Sequence, residues 1–236
     1  MDTVKDGSLA DTLHDLQRIF GSRLQAFVAY GRPGAHPASS LALVESLTDD
    51  DLSACAARAA AWHRAGCATP LLVTRDEFAG SLDAFPIEYG EIIETHRVIH
   101  GADPFTGLTI RPEDQRRACE VQVKSHLLQL RENYVDCGAR PAAVAALVTE
   151  SAPAFAVMLR RLASLDGQPC ASAAELSAYA AFRPGLDPRV VGDLMALMAG
   201  GPATGVDPMR LFPAYVRAVE RLAKFIDGWT PAGERA

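Results

Sequence analysis

The sequence of 236 residues predicts an α+β fold in two parts. A small mixed β-sheet flanked by helices is predicted over residues 1–111, and an all-α helical bundle over residues 112–236. Short apolar stretches alternate with helix signals in the first part, and no strand signal follows Pro112. The charge balance changes at the same place: residues 1–111 hold nine basic and fifteen acidic residues, whereas residues 112–236 hold fourteen of each. Two independent signals therefore predict a domain boundary near Arg111–Pro112.

The chain begins with a predicted amphipathic helix, because apolar residues recur at helical spacing up to Phe20. Gly21 ends that pattern. A short buried strand is predicted over Leu24–Tyr30 and a second over Ser40–Ser46. The intervening segment is rich in glycine and proline, which is typical of a turn.

A second helix is predicted from Thr48 as N-cap to about Arg64. Its acidic start, Asp49–Asp51, suits the positive end of a helix dipole and is interpreted as a solvated helix terminus rather than a metal site. Thr69–Thr74 is predicted as a third strand. Thr74 and Glu77 then have the spacing of a capping box, which predicts a short helix to about Leu82.

The end of the first part contains two further strand predictions. Phe85–Ile93 is predicted as a fourth strand, and Arg97–His100 as an edge strand or turn. The second part is predicted to contain about five helices. In its first helix one apolar stripe includes Val123 and Leu130, and a second consists of Val121, Leu128 and Val135. Two stripes predict a helix packed on both sides.

Composition excludes several classes of function. A net charge of −6 and a pI of about 5.5 argue against a nucleic-acid-binding protein and against a polybasic membrane binder. The start of the chain has no apolar core typical of a signal peptide, and apolar stretches are shorter than a membrane span. Five scattered cysteines without C-x-x-C spacing indicate free thiols. The protein is therefore predicted to be cytoplasmic.

The first strands carry a resemblance to a known superfamily. Phe27–Tyr30 is followed by Gly31, a loop and a second strand, Ser40–Val44. This order resembles the nucleotidyltransferase superfamily of the DNA polymerase β type, and in particular its small bacterial members close to the antibiotic nucleotidyltransferases. In that superfamily a strand is followed by Gly-Ser, a short loop and a strand that bears Asp-x-Asp.

Two later segments extend the resemblance. Phe85–Tyr89 looks like the strand that bears the family's third carboxylate, which implies that Glu88 takes that place. His100–Pro104 looks like the turn found just before the helical domain in such proteins. The resemblance implies a small mixed sheet followed by a helical bundle.

The sequence departs from the family at the positions that bind metal. Gly-Ser becomes Gly31–Arg32, and the Asp-x-Asp pair aligns with Ser40 and Ala42. Serine and alanine cannot replace aspartates in holding two Mg²⁺, which needs hard anionic oxygens. A shifted alignment could place Glu45 at one position, but Leu43 and Leu47 are then its neighbours on the same strand face. No metal site or cofactor is therefore predicted, and Mg²⁺ would be required only if the protein were active.

Candidate ligand-binding residues come from both parts of the chain, while no catalytic residue is assigned. The loop could hold an anion through backbone N–H groups and Arg32. In the first bundle helix, His126 is interpreted either as a partly buried interior histidine or, with Lys124 and Arg131, as part of an anion site facing an interdomain cleft. The candidates are Gly31, Arg32, Gly34, Ser39, Ser40, Glu88, Lys124, His126 and Arg131.

Three hypotheses of function follow from these observations. The first is a nucleotidyltransferase-fold protein that lacks the Asp-x-Asp pair and acts as a binding or regulatory module for a nucleotide or another small anion. The second is an active Mg²⁺-dependent nucleotidyltransferase that acts on a small molecule or protein. The third is a structural protein that forms a homodimer through its bundle, which light scattering tests directly.

Overall fold

The computed structural model describes residues 3–31, 37–200 and 205–229, with side chains from residue 8 onward. The chain divides into two compact units, Met1–Arg111 and Pro112–Ala236. The first contains a sheet with flanking helices, and the described residues of the second are helical. This α+β architecture confirms the predicted fold class.

A four-stranded mixed sheet organises the first unit. Its order is β3-β2-β1-β4, with β1 antiparallel to both β2 and β4 and with β2 parallel to β3. The strands are β1 Leu24–Tyr30, β2 Ser39–Val44, β3 Leu71–Thr74 and β4 Arg97–Gly101. Strand β4 lies at an edge of the sheet and confirms the edge strand predicted over Arg97–His100.

Helices cover both faces of this sheet. One face packs against α1 and α2 through a cluster that includes Phe20, Phe27 and Trp62. The other face packs against α3 and α4 through a cluster that includes Phe78 and Tyr89. The helices are α1 Thr3–Phe20, α2 Asp49–Arg64, α3 Arg75–Gly80 and α4 Pro86–Thr95.

The start of α2 confirms the predicted cap at Thr48. The Thr48 hydroxyl accepts the Asp51 backbone N–H at 3.2 Å, and the Asp51 carboxylate accepts the Thr48 N–H at 3.0 Å. Arg23 also donates two hydrogen bonds of 2.7 Å to Asp51, and these hold the pKa of that carboxyl well below its usual range. Asp49 and Asp50 are exposed, whereas Asp51 is buried in this network.

The strand predicted over Phe85–Ile93 is wrong, because α4 occupies residues 86–95. Pro86 takes the first helical position, where its fixed φ favours a helix and its missing N–H costs nothing. Tyr89 and Ile92 are then three residues apart, and both are buried against the sheet. The spacing of these two buried residues is therefore that of a helix rather than a strand.

Five helices form the described part of the second unit. Pro141 is the first residue of α6, and the Ser172 hydroxyl caps α7. The helix α6 continues through Pro153 without a break. The helices are α5 Pro112–Asp136, α6 Pro141–Leu165, α7 Ala173–Phe182, α8 Pro188–Gly200 and α9 Pro208–Asp227.

Among the described residues, α6 alone has the length and apolar composition that a membrane-crossing helix needs. Ten of its 25 residues are buried, among them Phe155 and Leu159. Burial inside the unit accounts for this apolar composition, as in the core helix of a soluble protein. The cytoplasmic location stays a prediction.

The first bundle helix is packed on one side only, which corrects the prediction of two packed sides. Val123 and Leu130 are buried, and α5 packs against α6 and α9. Val121, Leu128 and Val135 are instead 59%, 64% and 75% exposed. Their spacing of seven residues keeps them on one face, but no described element covers that face. Homodimer formation through the bundle stays a prediction.

Candidate functional site

The turn after β1 begins at Gly31, whose φ of +90° is a left-handed conformation that glycine adopts readily. The Gly31 backbone N–H donates to the Thr95 hydroxyl at 2.9 Å, and that hydroxyl donates to the Glu91 carbonyl at 2.6 Å. Thr95 thereby fixes the end of β1 to the end of α4. The candidate residues Arg32 and Gly34 lie outside the described residues.

Ser39 and Ser40 begin β2, where they pair with Tyr30 and Ala29 of β1. Ser40 is only 1% exposed, and its hydroxyl has no hydrogen-bond partner among the described residues. Burying an unpaired hydroxyl costs free energy, because its hydrogen bonds to water are lost without replacement. The Ser40 hydroxyl is therefore a buried polar group without a described partner, at the position where the resemblance places the first metal-binding aspartate.

We expect Ser40→Ala to raise the free energy of unfolding of the first unit by about 1 kcal/mol, because it removes this unpaired hydroxyl. Urea unfolding measures the change, and Ser39→Ala is the neighbouring control. A loss of stability on Ser40→Ala would contradict the expectation and reveal a partner for the hydroxyl in solution.

Successive side chains of β2 point to opposite faces of the sheet, which fixes the directions of Ser40 and Ala42. Ser40 and Ala42 share one face of the strand, and Leu41 and Leu43 share the other. Ala42 is fully buried in the cluster formed with α1 and α2. Leu41 and Leu43 lie in the cluster formed with α3 and α4.

Glu88 does not join Ser40 and Ala42 on their face of the sheet. It lies exposed in the first turn of α4, and α4 packs on the opposite face through Tyr89 and Ile92. The assignment of Glu88 to a strand is therefore wrong. Its carboxylate instead lies near the N-terminus of α4, where the positive end of the helix dipole stabilises a negative charge.

Comparison with solved structures shows what this chain resembles in fold. No family profile matches the chain, and no curated protein sequence matches it. A solved structure with a similar fold is that of spectinomycin adenyltransferase AAD(9) from Enterococcus faecialis with ATP and spectinomycin. The similarity has a TM-score of 0.56 at 12% identity and covers 92% of this chain and 98% of that chain.

The chain has a nucleotidyltransferase-like fold. This likeness spans both units, although the sequence identity is low. It confirms the fold that the resemblance implied.

The residues at the positions where the resemblance places the Asp-x-Asp pair do not fit two Mg²⁺ ions. Mg²⁺ prefers anionic oxygens in octahedral geometry. Ser40 offers a neutral hydroxyl and Ala42 offers no ligand. Glu88, which the resemblance implied as a third carboxylate, is on a helix over the other face. Among the described residues there is also no group of three or more His, Cys, Asp or Glu side chains that could hold a metal ion.

The two candidate cations of α5 are already paired within the second unit. Lys124 Nζ lies 2.7 Å from Glu120 and 2.8 Å from Asp227. The hydrogen bond with Asp227 contributes most to raising the pKa of Lys124, and the hydrogen bond with Glu120 raises it further. Arg131 lies 2.6 Å from Glu220. An anion would have to compete with these carboxylates, so the predicted site with both cations stays a prediction.

His126 lies in the interior of the bundle. It is 7% exposed, its Nε2 lies 2.7 Å from the Tyr215 hydroxyl, and its ring stacks against Phe155. Burial lowers the pKa of His126 and raises the pKa of Tyr215. The imidazole is therefore neutral at pH 7. These contacts favour the interpretation of His126 as an interior histidine.

Proposed function

We propose that this protein binds a nucleotide or another small anionic ligand through a nucleotidyltransferase-like fold without catalysing nucleotidyl transfer. The observation that carries the proposal is the pair of side chains at the aligned metal positions, Ser40 and Ala42. Nucleotidyl transfer depends on metal ions to neutralise the charge that develops on the phosphates. A hydroxyl and a methyl group cannot hold those ions.

The position of Glu88 supports the same proposal. A two-metal site needs ligands that converge on ions about 4 Å apart. Ser40 and Ala42 point towards α1 and α2, whereas α4 carries Glu88 over the other face. Geometry as well as chemistry therefore separates the three positions.

The binding part of the proposal is supported by the solved relative, which was crystallised with ATP and spectinomycin. In this chain the proposed contacts lie in the loop between β1 and β2. The groups that would meet the anion are backbone N–H groups near Gly31 and Gly34, the Arg32 guanidinium and the Ser39 hydroxyl, whereas the Ser40 hydroxyl is buried. Backbone amides and an arginine fork are a common means of binding phosphate.

Calorimetric titration with ATP, GTP, CTP and UTP, each with and without Mg²⁺, tests the binding. We expect saturable binding of at least one nucleotide in both conditions. Arg32→Ala is expected to weaken it about tenfold or more, because a hydrogen bond to a charged group contributes about 1.5–3 kcal/mol. Arg75→Ala, which removes an exposed arginine on α3, is the control of equal charge. Absence of saturable binding for all four nucleotides would contradict the binding part.

A pyrophosphate-release assay with each nucleotide, Mg²⁺ and a panel of small-molecule and protein acceptors tests the absence of transfer. We expect no Mg²⁺-dependent release. Robust release that disappears in Glu88→Gln but persists in Asp83→Asn, a control on a nearby exposed carboxylate, would establish the alternative of an active nucleotidyltransferase.

A further inference from the structure

A cavity lies wholly within the helical unit. It has a volume of about 450 Å³ and lies between the start of α8 and the middle of α9. Its apolar wall includes Leu186, Val190 and Ala218. Its charged wall is formed by basic side chains of α9. The volume is within the usual range for small-molecule sites, about 300–1,000 Å³.

The basic side chains are Arg217, Arg221 and Lys224, at positions i, i+4 and i+7. Side chains at this spacing share one face of a helix, where like charges repel one another. The Arg221 guanidinium donates to the Gly185 carbonyl at 2.8 Å, which fixes it at the edge of the cavity. Within the described residues, Arg217 and Lys224 have no ion-pair or hydrogen-bond partner.

The two carboxylates that also line the cavity do not neutralise these cations. Glu220 is paired with Arg131 at 2.6 Å. Asp187 accepts the Arg189 backbone N–H at 2.9 Å, at the start of α8. Three cations therefore face one carboxylate that is paired with Arg131 and one, Asp187, that is bound only to a neutral backbone N–H, so positive charge is in excess. This arrangement contrasts with that of Lys124 and Arg131, whose charges are balanced within the unit.

We propose that this cavity binds a small molecule in which a dianionic phosphate group is attached to an apolar body. The arginine forks and the lysine match the oxygen atoms of a phosphate group, and the aliphatic wall matches the apolar body. The site uses no residue of the loop between β1 and β2. It is thus independent of the nucleotide binding proposed above.

Calorimetric titration with phenyl phosphate tests the proposal, with inorganic phosphate and phenol as the separate halves of the probe. We expect saturable 1:1 binding of phenyl phosphate, binding of inorganic phosphate at least tenfold weaker, and no binding of phenol. The double variant Arg217→Ala/Lys224→Ala is expected to weaken phenyl phosphate binding at least tenfold. Arg117→Ala/Arg210→Ala removes the same charge from exposed positions outside the cavity and should leave the affinity within twofold.

Ala214→Leu tests the cavity by shape without changing any charge. Ala214 lines the cavity and is only partly buried, so a larger side chain fills the space and is expected to abolish binding. Circular dichroism and thermal unfolding establish that each variant is folded. If the Arg217→Ala/Lys224→Ala variant is unfolded, Arg217→Gln/Lys224→Gln replaces it, since glutamine keeps much of the aliphatic stem.

Three results would overturn the proposal. The first is the absence of saturable phenyl phosphate binding, and the second is an equal loss in the Arg117→Ala/Arg210→Ala control. The third is a parallel loss of ATP and phenyl phosphate binding in Arg217→Ala/Lys224→Ala, because one site would then account for both ligands. Unchanged ATP affinity in that variant supports two separate sites. ATP binding that fails in every variant, with phenyl phosphate binding intact, contradicts only the proposed nucleotide binding.

Discussion

Gly101→Ala is expected to lower the free energy of unfolding of the first unit by about 3–5 kcal/mol. Gly101 lies at the end of β4, opposite Ala26 of β1, with a φ of +83°. A Cβ atom at this position would lie 2.2 Å from the Gln25 carbonyl oxygen. Because the clash is with backbone, β4 would have to move away from β1. The left-handed φ adds about 1–2 kcal/mol for any L-residue.

Gly107→Ala is the matched control for this prediction. Gly107 has a similar φ of +80°, but a Cβ atom there would meet nothing within 4 Å. Only the conformational cost of about 1 kcal/mol is expected. Trp62 lies in the first unit and Trp229 in the second, and the sequence has no other tryptophan. Urea unfolding followed by Trp62 fluorescence in a Trp229→Phe background therefore measures the first unit. Equal losses in the two variants would contradict the role assigned to the close approach.

Asp166→Ala is expected to lower the free energy of unfolding of the second unit by about 3 kcal/mol. The Asp166 side chain is 1% exposed and follows α6 directly. It accepts hydrogen bonds from the Tyr179 hydroxyl at 2.8 Å, from Arg183 at 3.0 and 3.2 Å, and from Trp229 Nε1 at 2.8 Å. Its removal leaves three buried or half-buried donors without an acceptor, one of them charged.

The loss at Asp166 is measured by Trp229 fluorescence in a Trp62→Phe background. Asp136→Ala, at the exposed end of α5, is the control for loss of a carboxylate and should change stability by less than about 0.5 kcal/mol. Asp166→Asn keeps an acceptor oxygen but removes the charge, so an intermediate loss is expected. A loss at Asp166 no larger than the loss at Asp136 would contradict this account.

The pH dependence of the same variants gives a second measurement. Burial alone would raise the pKa of Asp166, but the hydrogen bonds from Arg183, Trp229 and Tyr179 outweigh it and lower the pKa. The stabilisation is therefore fully present above the unfolded pKa of about 3.9 and is lost as the pH falls through the lower folded pKa. We expect the stability difference between wild type and Asp166→Asn to be constant near pH 7 and to shrink below about pH 4.

Local signals in the sequence were enough to predict much of the fold. Thr48 and Thr74 cap helices because each hydroxyl meets a backbone N–H three residues ahead, which depends on local spacing alone. The segment at residues 85–93 was mispredicted because its apolar residues suit a strand, whereas Pro86 and the spacing of Tyr89 and Ile92 favour a helix.

The candidate site could be predicted only in part, since its geometry depends on distant contacts. The sequence shows that positions 40 and 42 carry no carboxylate, but it does not show which helices cover each face of β2. The pairing of Arg131 with Glu220 likewise joins residues 89 positions apart. The basic residues of α9 do carry a signal, since Arg217, Arg221 and Lys224 have helical spacing, yet the cavity beside them requires α8.

The burial of Ala42 limits which side chains position 42 can hold. An aspartate at that position would place a carboxylate inside a closed apolar cluster beside Phe27 and Trp62. A buried unpaired charge costs several kcal/mol, which is comparable with the whole stability of a small domain. Two aspartates introduced at positions 40 and 42 would therefore destabilise the sheet. A carboxylate at position 42 requires α1 or α2 to move away first, so the packing of the sheet keeps this position apolar.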